Sequence, residues 1–176
     1  MEYIRYIWPG FIEGEHHRVI AERLTAVAKG ELKRLIINMP PRHTKSEFAS
    51  IYFPSWMMGL QPNLKIMQTT HTADLSINFG RKVRNLMDTE EYTKIFQDVN
   101  LAADSKSAGK WQTSKGGEYF AAGVGGAIAG RGADVLIIDD PHSEQDAMSM
   151  NLLDSCYEWY TSGPRQRLQP GGSIVI

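Results

Sequence analysis

Leu35-Ile36-Ile37-Asn38-Met39-Pro40-Pro41-Arg42-His43-Thr44-Lys45-Ser46-Glu47 is the stretch that decides the fold. It joins a continuous apolar run to a loop with two prolines, and then to a Lys-Ser pair where a helix should begin. An unbroken apolar run predicts a strand over 32–38 covered on both faces, as in a parallel sheet. The helix predicted over 45–58 would present unpaired backbone N–H groups and a partial positive charge at its start, which suits an anion. Strand, loop and helix in this order are the context of a phosphate-binding loop.

Working outward, the periodicities agree with that reading. Val19, Ile20, Leu24, Val27 and Ala28 recur at helical spacing over 15–29, and Gly30 is placed to end that helix. Further strands are expected over 64–69 and 135–138, and helices over 73–87, 90–96 and 150–161. Two short strands, 110–113 and 118–121, flank the turn Lys115-Gly116-Gly117. Strands alternating with helices predict an α/β fold with a mainly parallel central sheet and helices on both faces, in three layers.

Composition removes other classes. Of 176 residues, 42% are apolar and 22% charged, so a single globular domain can be built. A net charge of -1 excludes a uniformly basic nucleic-acid protein but not a local basic patch. One cysteine, Cys156, excludes an internal disulfide and a four-cysteine zinc site, and reads as a small buried apolar group. No run approaches the roughly 18 apolar residues of a membrane span, and Met1-Glu2-Tyr3 does not open a signal peptide.

The chemistry lies in two segments. In the first, Lys45 would reach phosphate oxygens and the Ser46 hydroxyl would ligate Mg²⁺. Glycine is expected where this chain has Met39 and Thr44, and Pro40 and Pro41 have no N–H to donate. Donors must then come from Arg42, His43, Thr44, Lys45 and Ser46, with the Arg42 guanidinium as an added clamp. In the second, Val135-Leu136-Ile137-Ile138-Asp139-Asp140 is a Walker B pattern. Asp139 would hold Mg²⁺, and Asp140 would orient an attacking water. A strand-end turn is the simpler reading of Asp-Asp-Pro, but the Lys-Ser loop upstream favours the functional one.

These segments, Asn38-Met39-Pro40-Pro41-Arg42-His43-Thr44-Lys45-Ser46-Glu47 and Gly130-Arg131-Gly132-Ala133-Asp134 leading into Asp139-Asp140-Pro141, resemble the large terminase subunit of tailed bacteriophages. The Glu15-His16-His17-Arg18 segment is similar to that family's entry to its first helix. The resemblance runs from about Phe11 to Ile176. It implies a P-loop NTPase of the ASCE type, using ATP and Mg²⁺ to drive double-stranded DNA into a procapsid without reading its sequence. It further implies a homo-oligomeric ring on a portal, a small terminase subunit as partner, no membrane, and a place in the host cytoplasm at the procapsid portal. The whole chain, 1–176, is expected to be the ATPase domain. Its close at Ser173-Ile174-Val175-Ile176 reads as a strand caught in mid-course, so truncation at the C-terminal end is expected, with the nuclease domain absent.

Site roles follow with alternatives open. Pro41, Arg42, His43, Thr44, Lys45, Ser46 and His17 are expected around the nucleotide, and Ser46 and Asp139 around the metal. Lys45 and Asp140 are expected to act in catalysis, with Glu144 as a substitute carboxylate. The family position often holds Glu where this chain has Asp140. Arg131 is a candidate arginine finger acting in trans, and Arg42 competes with it in cis. Trp8, Phe11 and His17 are candidates to cover the adenine, with core packing the simpler role for Trp8 and Phe11. Thr69-Thr70-His71-Thr72 suits either DNA backbone phosphates or a capped helix start. Arg81, Lys82 and Arg84 form a small basic cluster. A nucleotide-binding fragment without turnover, and another P-loop translocase or helicase, are the alternative functions.

Overall fold

The computed structural model describes residues 1–104 and 107–176. Six strands form one sheet in the order β1-β6-β5-β2-β4-β3. In chain order they are β1 (Arg34–Leu35), β2 (Lys65–Thr70), β3 (Lys110–Gln112), β4 (Glu118–Gly123), β5 (Ala133–Ile138) and β6 (Leu168–Val175). Every neighbouring pair is parallel except β3 and β4, which form the expected antiparallel hairpin. The helices are α1 (Glu2–Ile7), α2 (Glu15–Ala28), α3 (Phe53–Leu60), α4 (Ala73–Met87), α5 (Glu90–Ile95) and α6 (Met150–Ser162). None is long and apolar enough to cross a membrane among the described residues.

The sheet is covered on both faces, which is why β5 reads as an unbroken apolar run. Val135 and Ile137 face a large core with Ile66, Tyr119 and Val175, closed by residues of α1 to α5. Leu136 and Ile138 face a smaller core with Met67, Ile128 and Ile174, against which Tyr160 of α6 packs. Helix α2 ends as expected, with Gly30 at φ 76°. Helix α4 has Thr72 as its N-cap, whose hydroxyl accepts from the Leu75 N–H at 3.3 Å.

Three expectations are corrected. The strand expected over 32–38 is not buried on both faces. It is an edge strand, and Ile36 is 66% exposed. Its pairing with β6 is nonetheless regular, from the Ile174 N–H bonded to the Lys33 carbonyl through the Ile37 N–H bonded to the Ile176 carbonyl. The helix predicted over 45–58 forms over 45–60, but Glu47–Tyr52 is a π-helical turn. Pro54 lies two residues beyond it, in the first turn of α3. It has no N–H for the Ser50 carbonyl and would crowd that carbonyl in a regular α-helix, which the wider turn avoids. Val19, counted among the apolar positions of α2, is half exposed. His17 fills the corresponding buried face instead, together with Ile20, Leu24 and Val27.

Candidate functional site

The loop after β1 and the turn after β5 meet at the carboxyl ends of the parallel strands, where open α/β sheets place ligands. Lys45 brings them together. Its ammonium bonds Asp140 Oδ1 and lies 3.3 Å from Asp139 Oδ1. Burial alone would pull the Lys45 pKa down. Hydrogen bonding to Asp140 and the charges of Asp139 and Asp140 outweigh it, so the pKa stands above the ordinary lysine value. Asp139 is buried, and its Oδ2 accepts from the Ser50 hydroxyl at 2.8 Å. Asp140 is the exposed partner, with 64% of its side chain open to solvent.

Backbone geometry marks the same place. The non-glycine residues at positive φ are Arg42 (64°), Thr44 (62°) and Asp140 (46°), and no others among the described residues. Each costs of the order of 1–3 kcal/mol and persists only where the surroundings enforce it. At Arg42 and Thr44 the loop therefore takes the left-handed bends that glycines would supply, and at Thr44 the side chain also makes contacts.

Thr44 shows what enforces its conformation. Its hydroxyl donates to the His43 carbonyl at 2.6 Å and sits 2.7 Å from His17 Nε2. The Gly14 N–H donates to His17 Nδ1 at 2.8 Å. With the Thr44 proton committed to His43, His17 must be the neutral Nε2–H tautomer, accepting at Nδ1 and donating to Thr44. Burial holds the His17 pKa below its ordinary value, with the neighbouring His16 adding to the effect. The ring stacks on Phe48 (centroids 5.1 Å apart) and meets Phe11 edge-on at 4.8 Å. His17 thus anchors the loop after β1 to α2.

The remaining expected residues are placed as follows. Pro41, Arg42 and His43 are exposed at the loop tip, with His43 Nδ1 2.9 Å from the Pro41 carbonyl. Ser46 is half-buried beside Lys45, and its hydroxyl has no hydrogen bond among the described residues. Trp8 stacks on Tyr52 at 5.3 Å and Phe11 lies 5.7 Å from Phe48, so both pack against the π-helical turn. Next to Asp140 the surface opens into a shallow cleft of ≈ 730 Å³, lined also by His71, His142 and Glu144. The His71 N–H bonds the Asp140 carbonyl at 3.2 Å. A separate hollow of ≈ 460 Å³ between α1, α2 and the π-helical turn contains neither Lys45 nor the two aspartates.

Arg131 is not brought to this site within the chain. It precedes β5, at the opposite end of the strand from Asp139. Its guanidinium pairs with Glu118 at 2.6 Å and lies over the Phe120 ring at 4.0 Å. Two residues that the sequence reading passed over do belong to the site, Ser50 and Gln68. Both are fully buried; Ser50 is a lone polar residue inside the apolar run Phe48-Ala49-Ser50-Ile51, and Gln68 directly follows the apolar pair Ile66-Met67 within a strand. That was the available signal.

Ser46 and Asp139 offer hard oxygen donors of the kind Mg²⁺ takes. No cluster of three or more metal-binding His, Cys, Asp or Glu side chains occurs among the described residues. Mg²⁺ needs none, since it commonly binds one or two carboxylates, waters and substrate phosphates. The donor set therefore fits that ion.

The site belongs to the class of mixed α/β proteins with a mostly parallel six-stranded sheet, helices on both faces, and a lysine-bearing loop at the strand ends. Among solved structures, this fold is similar to the crystal structure of the HK97 bacteriophage large terminase, with a TM-score of 0.59 and 14% identity. That likeness covers 99% of this chain and 36% of that one, so the chain spans about a third of the neighbour's length. No protein-family model matches the chain, and no curated protein does.

Proposed function

We propose that the chain is the ATPase part of a phage terminase large subunit, of the P-loop ASCE type, which binds ATP with Mg²⁺ and hydrolyses it to move double-stranded DNA into a procapsid. The observation that carries this reading is the convergence of Lys45, Asp139 and Asp140, with Arg42, Thr44 and Asp140 the non-glycine residues at positive φ among the described residues. A lysine already held by two carboxylates exchanges one of them for phosphate oxygens when nucleotide arrives. Backbone N–H groups from Arg42 to Ser46 then face the phosphates. Asp139 and Ser46 would hold Mg²⁺, which neutralises phosphate charge. Asp140, exposed at the cleft, is the candidate to orient water, with Glu144 across the cleft as the alternative. The terminase-like fold supports the motor reading.

On that reading Arg131 serves a neighbouring subunit of a homo-oligomeric ring on a portal in the host cytoplasm, with a small terminase subunit as a further partner. DNA binding would be led by phosphate contacts and weakened steeply by salt. The test is phosphate release from Mg-ATP with and without duplex DNA, comparing wild type with Lys45→Ala. Turnover that Lys45→Ala abolishes is expected, and equal rates would remove the assignment. The absence of Arg131 from the site within one chain favours a second reading, a module that binds nucleotide but turns it over only once assembled. Nucleotide binding without phosphate release would support it.

A further inference from the structure

We infer that Gln68 and Ser50 are positioning residues for Asp139, fixing which carboxylate oxygen is offered to a magnesium-bound nucleotide. This deepens the nucleotide reading above and rests on it.

The direction of the hydrogen bonds can be worked out from chemistry alone. Ser50 Oγ lies 2.8 Å from Asp139 Oδ2 and 3.2 Å from Gln68 Nε2. An ionised carboxylate only accepts, so the single Ser50 proton goes to Asp139. The Ser50 oxygen is then an acceptor, and Gln68 must turn its amide nitrogen toward it. The relay runs from Gln68 to Ser50 to Asp139, and each donor strengthens the next. All three residues are buried, so water does not compete. With Oδ2 tied down, Oδ1 is left facing Lys45 at 3.3 Å, on the side of the phosphate loop.

Two features argue that this arrangement serves the site rather than packing. The first is the π-helical turn, which sets the face that Ser50 presents and begins directly after Lys45-Ser46. Such turns are frequent at functional sites. The second is Gln68 itself. It stands on β2 opposite Ile137 of β5, two residues before Asp139. Its Oε1 is buried with no hydrogen-bond partner among the described residues. Methionine would fill this place without stranding a polar atom, so the glutamine is explained by the bond its Nε2 makes. Because β2 leads directly to His71, whose N–H holds the Asp140 carbonyl, one strand reaches both aspartates.

The experiment is calorimetric titration of the full chain with ADP, with and without Mg²⁺, for wild type, Ser50→Ala and Gln68→Met. Partners of metal ligands typically contribute 10- to 100-fold to metal affinity. Ser50→Ala should therefore reduce the gain in ADP affinity due to Mg²⁺ by about tenfold, and Gln68→Met by a smaller factor. Metal-free ADP should bind all three alike, which a merely structural role would not predict. An unchanged Mg²⁺ gain in both variants overturns the inference while leaving the nucleotide reading intact. Parallel loss of both affinities together with thermal stability assigns the pair to packing and overturns it too. Wild type that binds neither form removes the nucleotide reading and this inference with it.

Discussion

Restoring glycine at Thr44, where a phosphate-loop pattern expects it, should make this protein less stable. Thr44 sits at φ 62°, and glycine would relieve about 1–2 kcal/mol of left-handed strain. Glycine also has a more flexible unfolded chain, which costs back about 0.5–1 kcal/mol. The larger effect is on His17. Its Nε2–H donates to the Thr44 hydroxyl, and the residue is only 5% exposed. Leaving that donor unpaired costs about 1–3 kcal/mol. The net expectation for Thr44→Gly is a loss of about 1–2 kcal/mol, or about 2–8 °C in Tm for a chain of this size. Thr44→Ser keeps the hydroxyl and should stay close to wild type. Thermal unfolding by circular dichroism reads both. A Thr44→Gly protein as stable as wild type, or more so, would refute the claim that His17 anchors the loop through Thr44.

Other expectations follow from the same geometry. Asp139→Ala should lower stability by about 1–3 kcal/mol, because it strands the buried Ser50 hydroxyl, whereas Asp140→Ala should cost no more than about 1 kcal/mol because that carboxylate is exposed; urea unfolding compares them. His17 has a folded pKa below its ordinary 6.5. Its contribution is therefore complete above pH 6.5 and is lost as pH falls from there toward the lower folded value, so stability should drop over that interval in wild type and stay flatter in His17→Gln. Arg131→Ala should lower stability through loss of the Glu118 pair and the Phe120 contact, by about 1–2 kcal/mol, read as a lower Tm, while ADP affinity of the isolated chain stays unchanged in calorimetry.

Local signals made some of this legible and left the rest hidden. Helix α4 was readable to the residue because its apolar spacing is clean and Thr72 caps it. Strand β5 was readable because both its faces are covered. The run Leu35-Ile36-Ile37 looked the same, yet it lies at the sheet edge, since strand order depends on pairings that no local pattern encodes. Helix α1 is only six residues long, too short for periodicity. At the site, Lys45, Ser46, Asp139 and Asp140 stood out because they lie in contiguous motifs. Ser50 and Gln68 did not, because their meaning arises only when the π-helical turn and the strand register bring them to Asp139. The partner of Arg131 was hidden for the same reason, since Glu118 reaches it only through the placement of β4 in the sheet.

The central claim is that Lys45 and the two aspartates form a magnesium–nucleotide site. Calorimetric titration of Mg-ADP into wild type and Lys45→Ala tests it most directly. The account predicts saturable one-to-one binding by wild type and a loss of at least about tenfold in the variant, the size expected for a charge-assisted contact of about 1.5–3 kcal/mol. Equal affinity in the two proteins, or no binding by wild type, would contradict it.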